Sequence, residues 1–112
     1  MKVAIIGQGY VGLTISAFAG EYFDVTGFDN NKKIVNQLNR GISHIEGVES
    51  SVLKKWIDAG RYRATTNGSD ISDVELVVIA VPTPLNKDRQ PDLTFIDAAC
   101  KTIGENITKP VW

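Results

Sequence analysis

Gly7, Gly9 and Gly12 stand at the spacing G-x-G-x-x-G within MKVAIIGQGYVGL, and Asp29 follows in GFDN. The chemistry open to such a set is the binding of a dinucleotide. Gly7 permits a tight turn, Gly9 removes the Cβ that would hold a pyrophosphate off the backbone, and Gly12 lets a helix lie close on a strand. The unpaired N–H groups at the helix start and the positive end of its dipole then face the phosphates. A carboxylate about 20 residues past the first glycine can accept both hydroxyls of an adenosine ribose, and its charge repels a 2′-phosphate. Asp29 therefore favours NAD over NADP; Lys32 and Lys33 weaken that preference without reversing it. The glycine spacing alone also arises in ordinary tight turns, so its meaning rests on strand, helix and acid standing in register.

A second signal is Thr83, bracketed by Pro82 and Pro84 in AVPTPL. Proline on both sides restricts the backbone there, which suits a rigid wall beside a cofactor; on physical grounds alone a plain proline-rich turn serves equally well. The other reactive side chains point elsewhere. His44 is a lone loop histidine, expected at the surface or hydrogen-bonded rather than acting as a base. Cys100 falls on the apolar side of a helix and is expected in the core, as is Trp56, which shares a stripe with Val52. The run NKDRQPD reads as a solvated loop. No Cys/His set has metal-ligand spacing.

The elements that must position these residues alternate regularly. VAIIG reads as a buried strand. YVGLTISAFAGEY reads as a helix with Val11, Ile15 and Phe18 turned to that strand, small Ala17 and Ala19 among them, and Gly20 as its stop. FDVTGFD is a second strand. NNKKIVNQLNRG is a helix with Asn30 near its N-cap, Ile34, Val35 and Leu38 on its apolar side and Gly41 past its end. ISHIEG is a loop, and VESSVLKKWIDAG is an amphipathic helix carrying Val52, Leu53, Trp56 and Ile57. RYRATT is a third strand with Tyr62 and Ala64 on one side. VELVVIAV is the clearest central strand, stopped by Pro82. DLTFIDAACKTIGENI is a helix with Ile96, Ala99, Cys100, Ile103 and Ile107 on one side, and KPVW opens another strand. The sum is an α/β, three-layer, Rossmann-like doubly wound parallel sheet, incomplete at its C-terminus. Ligands of such sheets bind beyond the carboxyl ends of the strands, where strand order reverses, and VELVVIAV is expected beside the first strand there. The candidate cofactor-binding residues are accordingly Gly7, Gln8, Gly9, Tyr10, Val11 and Gly12 in the turn, Asp29, Asn30 and Lys33 after the second strand, and Val81, Pro82 and Thr83 after the later one.

Composition bounds the rest. A chain of 112 residues holds one domain and buries roughly 65% of its unfolded surface. With 43% hydrophobic residues, a folded state is expected. A net charge of −1 supplies no excess of cations for nucleic acid or an anionic membrane. No apolar run is long enough for a secretory signal or a membrane span. One cysteine and no possible internal disulfide fit a reducing, cytoplasmic setting.

GQGYVGL, the FD of the second strand end, LNRG followed by SHIEGV, and VPTPL with PDLTFID together resemble the N-terminal NAD-binding domain of the nucleotide-sugar 6-dehydrogenases, the UDP-glucose/GDP-mannose dehydrogenase family. The resemblance covers essentially the whole chain and is closest to the enzymes of UDP-N-acetylglucosamine and UDP-N-acetylmannosamine. It implies that Gly7 through Gly12 cradle the pyrophosphate, Val11 touches the cofactor, Asp29 binds the adenosine ribose and Thr83 lines the nicotinamide side. The family pattern has a basic residue where Ile34 stands; Lys33, just before it, is the candidate substitute. The implied reaction oxidises the primary 6-alcohol of a UDP-sugar, UDP-HexNAc or UDP-glucose, to the uronic acid with two NAD, by way of an aldehyde, a cysteine thiohemiacetal and a thioester.

That chemistry needs a thiolate, donors for an oxyanion and a base for water. The family's nucleophile sits in a glycine-rich segment with cysteine, proline, lysine and aspartate. No such segment occurs, and Cys100 has the wrong neighbours. The expectation is a fragment: residues 1–112 form the NAD-binding domain, with the central helix and UDP-sugar-binding domain absent. Such a chain binds NAD without turnover, while the full-length protein is a homo-oligomer. Two rivals remain. One is a stand-alone nucleotide-sensing regulatory domain, which has no need of the VPTPL and PDL segments. The other is a different two-domain dehydrogenase, of hydroxyacid or 6-phosphogluconate type.

Overall fold

The computed structural model describes residues 1–112, which run β1 (Lys2–Ile6), α1 (Tyr10–Ala19), β2 (Asp24–Phe28), α2 (Lys32–Asn39), α3 (Ser50–Asp58), β3 (Tyr62–Thr65), a short 3-10 turn (Gly68–Ile71), β4 (Leu76–Ile79) and α4 (Thr94–Asn106). The strands are parallel and ordered β3-β2-β1-β4, with Ile6 in register with Phe28 on one side and Ile79 on the other. Residues of β1 alternate between two cores, as the period of a strand requires. Val3 and Ile5 pack with Leu13, Val35, Leu38 and Leu53 beneath the helices α1 to α3. Ala4 and Ile6 pack with Phe28, Ile71, Val74 and Ala99 on the α4 side. Ile5, Ile6, Leu13, Leu38, Leu53 and Ile71 are the largest sealed apolar side chains. Each contributes about 1.5–3 kcal/mol by leaving water.

The α1 face differs from the periodic reading. Val11 is 57% and Phe18 75% exposed, while Gly12, Leu13 and Ser16 are buried. Val11 and Phe18 turn outward, whereas Ile15, Ala17 and Ala19 pack on the core as the period requires, with Leu13 beside them. Gly12, Ser16 and Gly20, each four apart, form a spine of small residues on that side, and Trp56 of α3 lies where a side chain at Gly20 would be. The Trp56 Nε1 donates to the carbonyl of Ala17 at 2.8 Å, so Trp56 is the half-buried clasp between α1 and α3.

Other boundaries resolve locally. Asn31, not Asn30, caps α2, its side chain accepting from the N–H groups of Lys33 and Ile34. Gly41 takes φ of 77° just past that helix. Tyr62 and Ala64 share the buried face of β3. Leu76–Ile79 pairs with β1 on one side; on the other Val77 donates to the carbonyl of Trp112 and Trp112 donates to that of Glu75, a single pairing of parallel type, and KPVW forms no strand of its own in the four-stranded sheet. Cys100 is exposed rather than in the core, since α4 buries only the narrow stripe through Ala99 and Ile103. His44 is half-buried in the loop after α2, with both ring nitrogens shielded and without a hydrogen-bond partner. The NKDRQ segment is a solvated hairpin tip, closed by bonds between Asn86 and Gln90, with Arg89 at φ 57°. No helix is long and apolar enough to cross a membrane.

Candidate dinucleotide site

Strand order reverses between β1 and β4, and at the carboxyl ends of β1, β2 and β4 the chain encloses a cavity of about 610 Å3. That volume lies in the range of sites that take a cofactor. Ile6 and Phe28 stand at the strand ends, the glycine turn and the start of α1 form one side, and Asp29, Asn30, Asn31 and Ile34 form the β2–α2 side. Ala80, Val81 and Pro82 close it after β4, together with Phe95, Ala98, Ala99 and Thr102 of α4.

The turn is built by its glycines in three different ways. Gly7 has φ of 96°, a region that strains other residues, and a Cβ there would stand 2.7 Å from the carbonyl oxygen of Ala80. Its N–H donates to the carbonyl of Phe28 at 2.7 Å, fastening the turn to β2. At Gly12 any Cβ would collide with the Gly7 carbonyl. At Gly9 nothing stands within 4 Å of where a Cβ would be, so the backbone there is open to a ligand. Gly9 caps α1 without a side-chain bond, and the first turn holds no acidic residue. The first helical bond runs from the N–H of Leu13 to the carbonyl of Gly9, at 3.0 Å. The N–H groups of Gly9, Tyr10 and Val11 thus have no partner in the chain and, with the helix dipole, suit an anion.

Asp29 is the only charged residue lining the cavity. Its Oδ2 accepts the backbone N–H of Gln8 and its Oδ1 that of Asn31, each at 2.9 Å. These two bonds fix the carboxylate and leave each oxygen a second acceptor site, enough for a pair of vicinal hydroxyls. Since no lysine or arginine lines the cavity, a 2′-phosphate would meet a negative charge without a cation to answer it.

The structure sorts the expected residues into three kinds. Gly7, Gly9, Tyr10, Val11, Asp29, Asn30, Val81 and Pro82 line the cavity. Gly12 shapes it from behind, through its contact with Gly7. Gln8, Lys33 and Thr83 do not line it. The Gln8 side chain is fully buried, turned away from the cavity; Lys33 and Thr83 are exposed and outside the lining. Ile34 itself occupies the cavity side of α2, so the neighbouring lysine does not take over that position. Sequence reasoning missed the whole α4 wall. Phe95, Ala98, Ala99 and Thr102 follow the spacing i, i+3, i+4, i+7, a helical stripe that shares Ala99 with the core stripe and carries small Ala98 and Ala99 at its middle. Neither Cys100 nor His44 reaches the cavity.

Comparison with known proteins agrees with this geometry. The model of the UDP-glucose/GDP-mannose dehydrogenase family, NAD binding domain, matches residues 1–111. A UDP-N-acetyl-D-mannosamine dehydrogenase of Escherichia coli is 38% identical over 109 residues, covering 96% of this chain and 25% of the relative. A UDP-N-acetyl-D-glucosamine 6-dehydrogenase of Pseudomonas aeruginosa is 35% identical over 109 residues, covering 97% and 25%. Among solved structures, the UDP-D-ManNAc dehydrogenase of Pyrococcus horikoshii superposes with a TM-score of 0.91 at 32% identity, over 99% of this chain and 27% of that one. A ternary complex of GDP-mannose dehydrogenase from Pseudomonas aeruginosa gives 0.88 at 30%, over 93% and 24%. The chain thus spans about a quarter of the length of the relatives it matches.

Proposed function

The chain belongs to the UDP-glucose/GDP-mannose dehydrogenase family as an NAD-binding domain, and on that premise we propose that it serves as the cofactor half of an enzyme that oxidises the 6-alcohol of a UDP-sugar to the acid. The observation that carries the reading is the conjunction at one cavity of three free N–H groups opening α1 and a carboxylate held from two sides at the end of β2. Bound there, NAD would supply a hydride acceptor. The chain's own residues do the rest. The amides of Gly9, Tyr10 and Val11 hold the diphosphate, Asp29 holds the adenosine ribose, and the Ile34 and α4 sides enclose the adenosine end. Val81 and Pro82 support the opposite end.

Asp29, the one charged group at the cavity, is held by two backbone N–H groups, and neither Cys100 nor His44 lines it, so on this reading the chain's own part is to hold the cofactor. Assembly as a homo-oligomer goes with the same reading, as does a cytoplasmic setting, the latter supported by the lone cysteine. The stand-alone sensor has no support from the family match. Calorimetric titration of the chain with NAD tests the cofactor half, a flat isotherm being the outcome against it. Spectrophotometric assay of the gene's full product with UDP-HexNAc, UDP-glucose and GDP-mannose tests the rest. Two NADH per UDP-sugar are expected; turnover of neither UDP-sugar would end the proposal, whatever GDP-mannose does.

A further inference from the structure

Gln8 occupies the first variable position of the glycine turn, where a side chain is expected to face a ligand or solvent, and it is 0% exposed. Its carboxamide is fully satisfied. Nε2 donates to the carbonyls of Ile5 at 3.2 Å and Gly7 at 3.0 Å, while Oε1 accepts from the Tyr62 hydroxyl at 2.8 Å and from Ser16 Oγ at 3.1 Å. A primary amide has two donor hydrogens and two acceptor lone pairs, so no capacity is left over. The orientation is also forced: a flipped amide would set its oxygen against two carbonyl oxygens. The hydroxyl hydrogen of Ser16 is shared with the carbonyl of Gly12, at 3.0 Å.

The room for this group comes from a fourth element. At Gly27, next to the C-terminal residue of β2, any Cβ would run into the Gln8 carboxamide. One side chain therefore ties the end of β1, the body of α1 and strand β3 together, across a gap left open in β2. Its own backbone N–H meanwhile donates to Asp29 Oδ2.

We infer that Gln8 is a positioning residue for the NAD site, acting through the Gly7 carbonyl and Asp29 without touching the cofactor. Peptide planes are rigid, so drawing the Gly7 carbonyl inward sets the plane of the 7–8 peptide. That plane aims the Gln8 N–H at Asp29 and leaves the next amides, those of Gly9 to Val11, facing the cavity. The inference rests on the proposed cofactor role of the turn and adds to it the device that holds the turn in its binding shape.

The test uses Gln8→Met and Gln8→Glu in the same chain, with NAD titrated by calorimetry and the Gly9, Tyr10 and Val11 amides followed by NMR before NAD is added. Gln8→Met keeps the volume and removes the amide. It is expected to weaken NAD about tenfold, the equivalent of one lost buried hydrogen bond, and to move those three amide signals while α4 signals stay in place. Gln8→Glu keeps the shape and serves where the methionine variant fails to fold.

Protonated, the glutamic acid can still donate to the Gly7 carbonyl. Ionised, it faces two carbonyls, with Tyr62 of β3 and Asp29 of β2 as the titratable groups nearby and none from α1, whose contact is Ser16. Burial and these neighbours raise its pKa, so its NAD affinity should fall between about pH 6 and 9 more steeply than that of the parent. A Gln8→Met chain with parental affinity and unmoved amides, or a Gln8→Glu pH profile parallel to the parent's, overturns the inference. A parent chain that binds no NAD instead overturns the cofactor reading beneath it.

Discussion

The Cα of Gly12 lies against the carbonyl of Gly7 with no space for a methyl group between them. This contact holds α1 on the sheet and presses the turn into shape from inside, whereas Gly9, two residues along from Gly7, faces open space. The two conserving substitutions should consequently part. Gly12→Ala should lower stability by about 1–3 kcal/mol or more through overpacking, and NAD affinity with it. Gly9→Ala, at a φ of −80° that alanine accepts, should keep the parental urea midpoint and lose NAD affinity. Equal midpoints for both variants would mean that α1 can slide to make room.

Asp29 supplies the only charge in the cavity. Asp29→Asn should weaken NAD by about tenfold or more, because hydrogen bonds to a charged acceptor are the stronger kind. It should also narrow the gap between NAD and NADP, since the repulsion of a 2′-phosphate goes with the charge. Calorimetry with both dinucleotides measures the two effects, and unchanged affinity for both would remove Asp29 from the site.

Tyr62 gives the fold an alkaline limit. Burial holds its phenol well above the ordinary 10.0, and the negative charge of Asp29 pushes in the same direction. A proton bound more tightly in the folded state means that the contribution is complete below pH of about 10 and is lost as pH rises beyond it. Urea midpoints of the parent should therefore drop steeply above that pH. Tyr62→Phe should start lower, having lost the bond to Gln8, and show a shallower alkaline slope; parallel slopes would count against a buried phenol.

Asn39 closes the outer edge of β3. Its Nδ2 donates to the carbonyl of Ala64 at 2.9 Å and its Oδ1 accepts the Ala64 N–H at 2.8 Å, so the amide pairs with the strand much as another strand would. Asn39→Ala should cost about 1–3 kcal/mol by leaving both backbone groups unmatched, and should promote association through the bared edge. NAD affinity should stay parental, as Asn39 is no part of the cavity lining. Urea melts and light scattering check the first two, and calorimetry the third.

The order of strands and helices was readable because it is written in local periods. VAIIG and VTGF are apolar runs that suit a sheet covered on both faces, and glycines stand where α1, α2 and α3 stop. The roles of Gly7, Gly9 and Asp29 were readable for a related reason: they belong to one strand–turn–helix unit whose geometry hardly varies. Errors arose where two elements distant in sequence meet. The outward turn of Val11 and Phe18 follows from the close approach of Gly12 to the turn and of Gly20 to Trp56, and periodicity does not say which stripe a close contact selects. The exposure of Cys100 likewise depends on how little of α4 the sheet covers.

By itself, then, the sequence determined that an anion-binding turn and an acidic strand end would be built side by side, since both follow from short-range backbone preferences. Only the tertiary structure decided what stands around them: Gln8 drawn into the core through the gap at Gly27, Lys33 left outside, and Phe95 to Thr102 brought in as the far wall. The physical reason is that packing is settled among groups brought together across the sheet, where one missing Cβ in β2 determines the direction of a side chain on the loop after β1.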